Sequence, residues 1–187
     1  MLNGFRKPVV LAFAGPNGSG KTTVSRSLGV FGTYINADDL KEEYVLTDLD
    51  AALQAETLRN SMLDKGADFS FETVLSTERN LLFLEKAKLR GYEVQCIYVL
   101  TRDENINVAR VRARHAAGGH SVPEDKIRAR YHRALALLPR LVAICDKILV
   151  YDNSDMPTLI FRREYSHSEI FPCNLWAESE LRNLLAL

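Results

Sequence analysis

Residues 15–22 read GPNGSGKT, and no other stretch restricts the fold of this chain so tightly. They follow an apolar run, Val9-Val10-Leu11-Ala12-Phe13-Ala14, and precede an amphipathic segment, Thr23 to Leu28. This is the pattern G-x-x-x-x-G-K-[ST] between a strand and a helix, the arrangement that cradles a phosphate chain. Gly15, Gly18 and Gly20 let the backbone curl so that successive N–H groups face one anion. The positive end of the following helix adds to that field. Lys21 supplies a point charge for the β- and γ-phosphates of a nucleoside triphosphate, and Thr22 offers a hydroxyl to Mg²⁺. Pro16, Asn17, Ser19 and Thr23 complete the expected cofactor-binding stretch. The alternative, a chance glycine-rich turn, sits badly with a match at every fixed position and on both flanks.

Strands and helices alternate from there. Apolar residues 8–14 form a strand of the kind covered on both faces. Short strands are expected at 33–36 and 68–74, and longer ones at 92–100 and 147–151. Helices are expected from 37 to 46, with Asn36 or Asp38 as cap, and from 48 to 65, ended by Gly66. Another runs from 78 to 89, capped by Ser76 or Thr77. Two more span 103–117 and 123–144, the second kinked or divided by Pro139. A sixth, edge strand at 158–164 and a C-terminal helix at 176–186 close the pattern. The expected fold class is α/β, three layers around a parallel five-stranded sheet. One domain is expected over 1–187, with 103–138 as a helical lid inside it.

Ligands of open α/β sheets bind beyond the carboxyl ends of the strands. The residues following those ends are polar: Asn36-Ala37-Asp38-Asp39, Glu72-Thr73, Thr101-Arg102-Asp103 and Asp152-Asn153-Ser154. A phosphoryl acceptor needs a carboxylate within reach of its hydroxyl, and Asp38 is the candidate base. A helix cap is its bland alternative. Glu72 ends an otherwise apolar and aromatic strand, where a charge is costly unless paired or used. It is a candidate both for the metal and for the acceptor. Asn36, Asp39 and Thr73 are candidates for the acceptor side, and Asn153 for the nucleotide.

Residues 102–133 are rich in arginine, whereas the acids lie mostly between 38 and 85. Arg110 and Arg114 share one helix face, as do Arg130 and Arg133 on the next helix. An anion between the helices would relieve their repulsion, and phosphoryl transfer needs cations on the migrating group. Arg114 and Arg130 are therefore candidate catalytic cations, Arg110 a nucleotide contact and Arg133 a substrate contact. Arg112 points off that face. His120, in the Gly118-Gly119-His120 turn, is expected to pin the lid loop. Trp176, Phe171 and Ile170 are expected to pack the C-terminal segment on the core.

Lysine plus arginine and aspartate plus glutamate number 24 each, so overall charge suggests neither a nucleic-acid nor a membrane partner. Cys96, Cys145 and Cys173 lack metal-binding spacing, and Cys96 and Cys145, set among apolar residues, read as reduced core thiols, which suits a cytoplasmic chain. No apolar stretch approaches the ~20 residues of a membrane span.

Taken together, GPNGSGKT, INADDL, FETVLS, GGHSVPEDKIRARYHRAL and the strand ending YDNS resemble the zeta toxin family of P-loop kinases, in the same order over most of 8–154. The resemblance implies a kinase-like parallel sheet with a mobile helical lid. It implies ATP and Mg²⁺ as cofactors and a hydroxyl of a small molecule as acceptor, UDP-N-acetylglucosamine in well-known members. It implies Asp38 as base, Lys21 and Thr22 on phosphate and metal, Glu72 near the acceptor, and the arginines of 110–133 around the phosphates. An antitoxin-like protein is the implied partner. The chain departs from the toxins in its shortness and its compact segment 40–66, and looks closer to a chromosomal, zeta-like subgroup.

Overall fold

The computed structural model describes residues 6–119 and 122–187. His120 lies outside the described residues. The first strand, β1 (Val9–Ala14), is buried at every position and forms the middle of the sheet. It is flanked by β3 (Phe69–Thr73) and β4 (Glu93–Leu100), both parallel to it. The sheet continues through β2 (Thr33–Ile35) on one side and through β5 (Lys147–Asp152), β6 (Thr158–Glu164) and β7 (His167–Ile170) on the other. The order β2-β3-β1-β4-β5-β6-β7 puts the reversal of winding at β1, where the phosphate loop leaves the sheet.

The sheet corrects the five-stranded parallel expectation. It has seven strands and is mixed: β6 and β7 run antiparallel as a hairpin appended to β5. β6 is thereby an interior strand and β7 the edge. The sequence of β7, HSEI, has no apolar run to announce it, because an edge strand with both faces partly solvated needs none.

Helices fall where apolar periodicity places them: α1 (Lys21–Leu28), α2 (Ala37–Tyr44), α3 (Asp48–Lys65), α4 (Arg79–Leu89), α5 (Glu104–Ala116), α6 (Glu124–Ile144) and α7 (Glu178–Leu185). Gly66 ends α3 in the left-handed conformation, at φ 62°. The cap of α4 is Glu78, without a side-chain bond, rather than Ser76 or Thr77. Pro139 does not divide α6, which runs unbroken for 21 residues. Buried Ala134, Leu138, Leu141 and Val142 hold both sides of the proline on the core, which outweighs one missing backbone bond.

The main core lies between the sheet and α3, α4, α6 and α7; Phe69, Phe71, Leu81, Leu84, Tyr98, Leu138 and Phe161 are its largest contributors. A smaller cluster under α1 joins Leu11, Phe13, Val24, Ile97 and Val99. Between α5 and α6, Val108, Val111 and Ile127 form a third cluster, separate from the sheet. Cys96, Cys145 and Cys173 are free thiols. No helix among the described residues is long and apolar enough to cross a membrane.

Candidate functional site

β1 delivers the chain into the phosphate loop, and the loop's shape depends on its glycines. Gly15 has φ 141°, and a Cβ there would lie 2.0 Å from the Val99 carbonyl oxygen. Gly20 has φ 94°, and its Cβ would meet Asn153 Nδ2 at 2.2 Å. Both positions demand glycine on conformation and on space.

Three neighbours hold the loop from outside. Thr73 O accepts from Gly15 N at 3.2 Å. Buried Asn107, on α5, donates to Asn17 O at 2.6 Å. Asn153 Nδ2 donates to Ser19 O at 2.7 Å. Lys21 Nζ curls back onto the carbonyls of Gly15 and Pro16, at 2.8 and 3.1 Å. Desolvation beneath the loop lowers its pKa to about 8, although the charges of Glu72 and Asp38 oppose the shift; Arg114 adds to it.

β3 brings Glu72 to the mouth of the loop. Its Oε2 accepts from Thr22 Oγ1 at 3.2 Å. Its Oε1 accepts from Tyr34 OH at 2.7 Å and from Ser25 Oγ at 3.2 Å. Three hydroxyls thus fix the carboxylate, and no described cation forms an ion pair with it. Thr22 and Glu72 are hard oxygen donors, the kind that Mg²⁺ takes in small number beside substrate phosphates. Among the described residues there is no cluster of three or more His, Cys, Asp or Glu suited to a metal.

After β2, Asn36 caps α2 by accepting from Asp38 N at 3.1 Å. The cap is therefore Asn36, and the Asp38 carboxylate is left exposed on the first turn. Asn36 also donates to Asp39 Oδ1 at 3.4 Å. Partial burial, then the neighbouring charges of Glu72 and Asp38, push the Asp39 pKa up.

These groups surround one cavity of about 600 Å³. Loop residues Asn17, Gly18, Gly20, Lys21, Thr22 and Thr23 form one side. Asn36, Asp38, Glu72 and Thr73 form another, and Arg110 and Arg114 of α5 overhang it. Arg130 approaches the rim, with Nη1 3.3 Å from Asn17 Oδ1. Gly15, Pro16, Ser19, Asp39, Asn153 and Arg133 do not line it. Gly15, Pro16 and Ser19 are buried behind the loop, Asn153 braces it, and Arg133 is exposed on α6. Arg128 is held by Glu104 and Glu124, and exposed Arg112 pairs with Glu124.

Sequence reasoning missed Arg26, which lines the cavity, and Tyr34 and Asn107, which hold Glu72 and the loop. Asn107 carried a signal, a polar residue on the apolar face that holds Val108 and Val111. Tyr34 carried none, since tyrosine is ordinary in a strand.

A family model described as Zeta toxin matches residues 2–164. An uncharacterized protein of Haemophilus influenzae is 30% identical over 125 residues, 64% of this chain and 89% of its own length. Among solved structures, one from the PezAT chromosomal toxin–antitoxin system of Streptococcus pneumoniae superposes with a TM-score of 0.62 at 19% identity, over 97% of this chain and 84% of the other. The AvrRxo1-ORF1:-ORF2 complex with ATP superposes with a TM-score of 0.61 at 12% identity, over 88% of this chain and 60% of that one. The structural likenesses, all under 25% identity, establish a shared fold. The match over 2–164 establishes the family: the chain belongs to the zeta toxin family.

Proposed function

We propose that the chain is an ATP-dependent kinase that transfers the γ-phosphoryl group of ATP to a hydroxyl of a small molecule. One observation carries the reading: a phosphate loop and an uncapped, exposed carboxylate, Asp38, share one cavity with Glu72 between them. That is the geometry of a donor half facing an acceptor half.

In this reading Gly15 to Thr23 bind the phosphate chain, and Lys21 moves from the loop carbonyls onto the β- and γ-phosphates. Thr22 and Glu72 would hold Mg²⁺, which when bound neutralises charge on the phosphate oxygens. Asp38 takes the proton of the acceptor hydroxyl as its oxygen bonds to the γ-phosphorus. The bond to the leaving oxygen breaks, and ADP departs. Arg114 and Arg130 stabilise charge on the transferring group, and Arg110 and Asn153 serve the nucleotide. Asn36 and Thr73 belong to the acceptor side, with Asp39 bonded to Asn36 beside them, whereas Arg133 is exposed on α6 outside the cavity. The separate apolar cluster of Val108, Val111 and Ile127 supports a lid within 103–138, hinged where Leu138 joins the main core, that closes within one domain and excludes water.

The family suggests UDP-N-acetylglucosamine as acceptor; another metabolite or a nucleoside is the competing choice. The PezAT likeness supports an antitoxin-like partner, and the reduced thiols support a cytoplasmic location. The test is incubation of the full chain with ATP, Mg²⁺ and UDP-N-acetylglucosamine, read by mass spectrometry. A monophosphorylated sugar nucleotide supports that acceptor. Its absence, with other metabolites phosphorylated, assigns the acceptor elsewhere.

A further inference from the structure

The family match ends at residue 164, yet a residue beyond it reaches back to the 152–154 turn that braces the phosphate loop. Trp176, the only tryptophan of the sequence, is 5% exposed and packs on the main core. Packing accounts for its ring. It does not account for its N–H, which donates to Asp152 Oδ2 at 2.9 Å.

Asp152 is 1% exposed and sits at the carboxyl end of β5. No described cation forms an ion pair with it, and three donors satisfy it instead. Ser154 N donates to Oδ1 at 2.8 Å, Ser154 Oγ to Oδ2 at 3.1 Å, and Trp176 supplies the third. The carboxylate therefore gathers the 152–154 turn around itself, and the tryptophan is the one donor from outside that turn.

The turn in turn holds the nucleotide machinery. Asn153, between Asp152 and Ser154 in the turn, donates to Ser19 O in the phosphate loop at 2.7 Å. Its amide occupies the space against which Gly20 is fitted. Arg110 of α5, which overhangs the cavity, donates to the carbonyls of Asn153 and Ser154 at 2.7 and 3.0 Å. A second strap lies outside: Arg102 N donates to Ser154 Oγ at 2.7 Å, while the Arg102 guanidinium lies 4.2 Å over the Trp176 ring and pairs with Glu180 of α7.

We infer that Trp176 is a positioning residue for the nucleotide, acting through Asp152 and the 152–154 turn on the phosphate loop and on Arg110. The C-terminal segment thereby sets the affinity of the site for ATP. The inference rests on the kinase reading for its ligand. Removing one donor from a buried carboxylate leaves an acceptor unsatisfied, and the turn relaxes to compensate. The relaxation displaces Asn153 and Arg110, not Asp38 on the acceptor side or Glu72 beside Thr22.

The experiment uses the full chain and a non-hydrolysable ATP analogue, with calorimetry well below the melting temperature. Trp176→Phe keeps an aromatic ring, smaller than the indole, and deletes the N–H. The expected result is a Kd raised about fivefold to twentyfold at unchanged stoichiometry, with the KM of the acceptor unmoved. Ser154→Ala cuts the same connection at its other end without touching the core, and should raise Kd similarly. The double variant should be no worse than the poorer single one. In the wild type, Trp176 emission should change on nucleotide addition, and in Ser154→Ala it should not. A merely structural tryptophan would lower the melting temperature and leave Kd within twofold; that result, or wild-type emission indifferent to bound nucleotide, overturns the inference alone. A wild-type chain that binds no nucleotide at all overturns the kinase reading as well.

Discussion

Thr22 Oγ1 lies 3.2 Å from Glu72 Oε2, so a hydroxyl at the start of α1 and a carboxylate at the end of β3 face one point. Tyr34 and Ser25 hold the carboxylate's other oxygen, so its orientation is set before anything binds. Glu72→Gln keeps the shape and removes the charge. Turnover is expected to fall about 100-fold or more, as for the loss of a preorganised electrostatic group. Binding of ATP without Mg²⁺ should be unchanged, and the enhancement by Mg²⁺ should vanish. Full Mg²⁺ dependence in Glu72→Gln would exclude it from the metal.

Tyr34 and Glu72 make a second, finer prediction. Burial, followed by the bond to Glu72 and its charge, holds the Tyr34 phenol well above its ordinary range, so it stays a donor at any working pH. Tyr34→Phe should lower turnover several-fold, less than Glu72→Gln, because two hydroxyls remain on the carboxylate. Steady-state rates of the two variants, compared side by side, check the order.

Lys21 gives a pH signature. Its pKa is lowered to about 8, chiefly by burial, in the nucleotide-free protein. Phosphate favours the charged form and so raises it again on binding. Binding therefore takes up a proton between about pH 8 and the raised value, and affinity falls as pH rises through that window. The sign for stability is the reverse. A lysine depressed on folding costs stability below about pH 8, and the cost is relieved as pH rises toward the ordinary value of 10.5. Calorimetry at pH 8.5 in buffers of different ionisation enthalpy counts the proton; release instead of uptake would contradict this account.

Much of this site was legible in the sequence because the phosphate loop is a local device. Its residues are consecutive, so spacing alone fixes where the anion goes. Asp38 and Glu72 were found by a different route: both follow strand ends, and the parallel order of β2, β3 and β1 brings those ends together. The helix cap was ambiguous between Asn36 and Asp38 until the backbone decided it. The arginines were hardest. Helical spacing gives a face but not the neighbours on that face, so Arg110 and Arg114 over the cavity could not be told from exposed Arg133. The β6–β7 hairpin was hidden for a related reason: pairing at a sheet edge depends on a partner remote from any apolar pattern.

Arg59 offers a test of the core rather than of the site. It is 9% exposed on α3, stacked 4.9 Å over Phe71 and 5.5 Å over Phe83, and no described carboxylate pairs with it. Burial lowers its pKa to about 10, so the folded state disfavours its charge throughout the neutral range. Arg59→Met fills similar space without the charge. An equal or higher melting temperature is expected, and a loss of more than ~5 °C would show that the stacking outweighs desolvation.

The most direct measurement concerns Asp38. The full chain is incubated with Mg²⁺, γ-labelled ATP and a polar metabolite extract, and products are resolved by mass spectrometry beside Asp38→Asn. The wild type should label a small molecule bearing a hydroxyl. Asp38→Asn should bind ATP normally and form that product about 100-fold or more slowly, as loss of a general base requires. Label appearing in inorganic phosphate alone, or undiminished transfer by Asp38→Asn, would contradict the account.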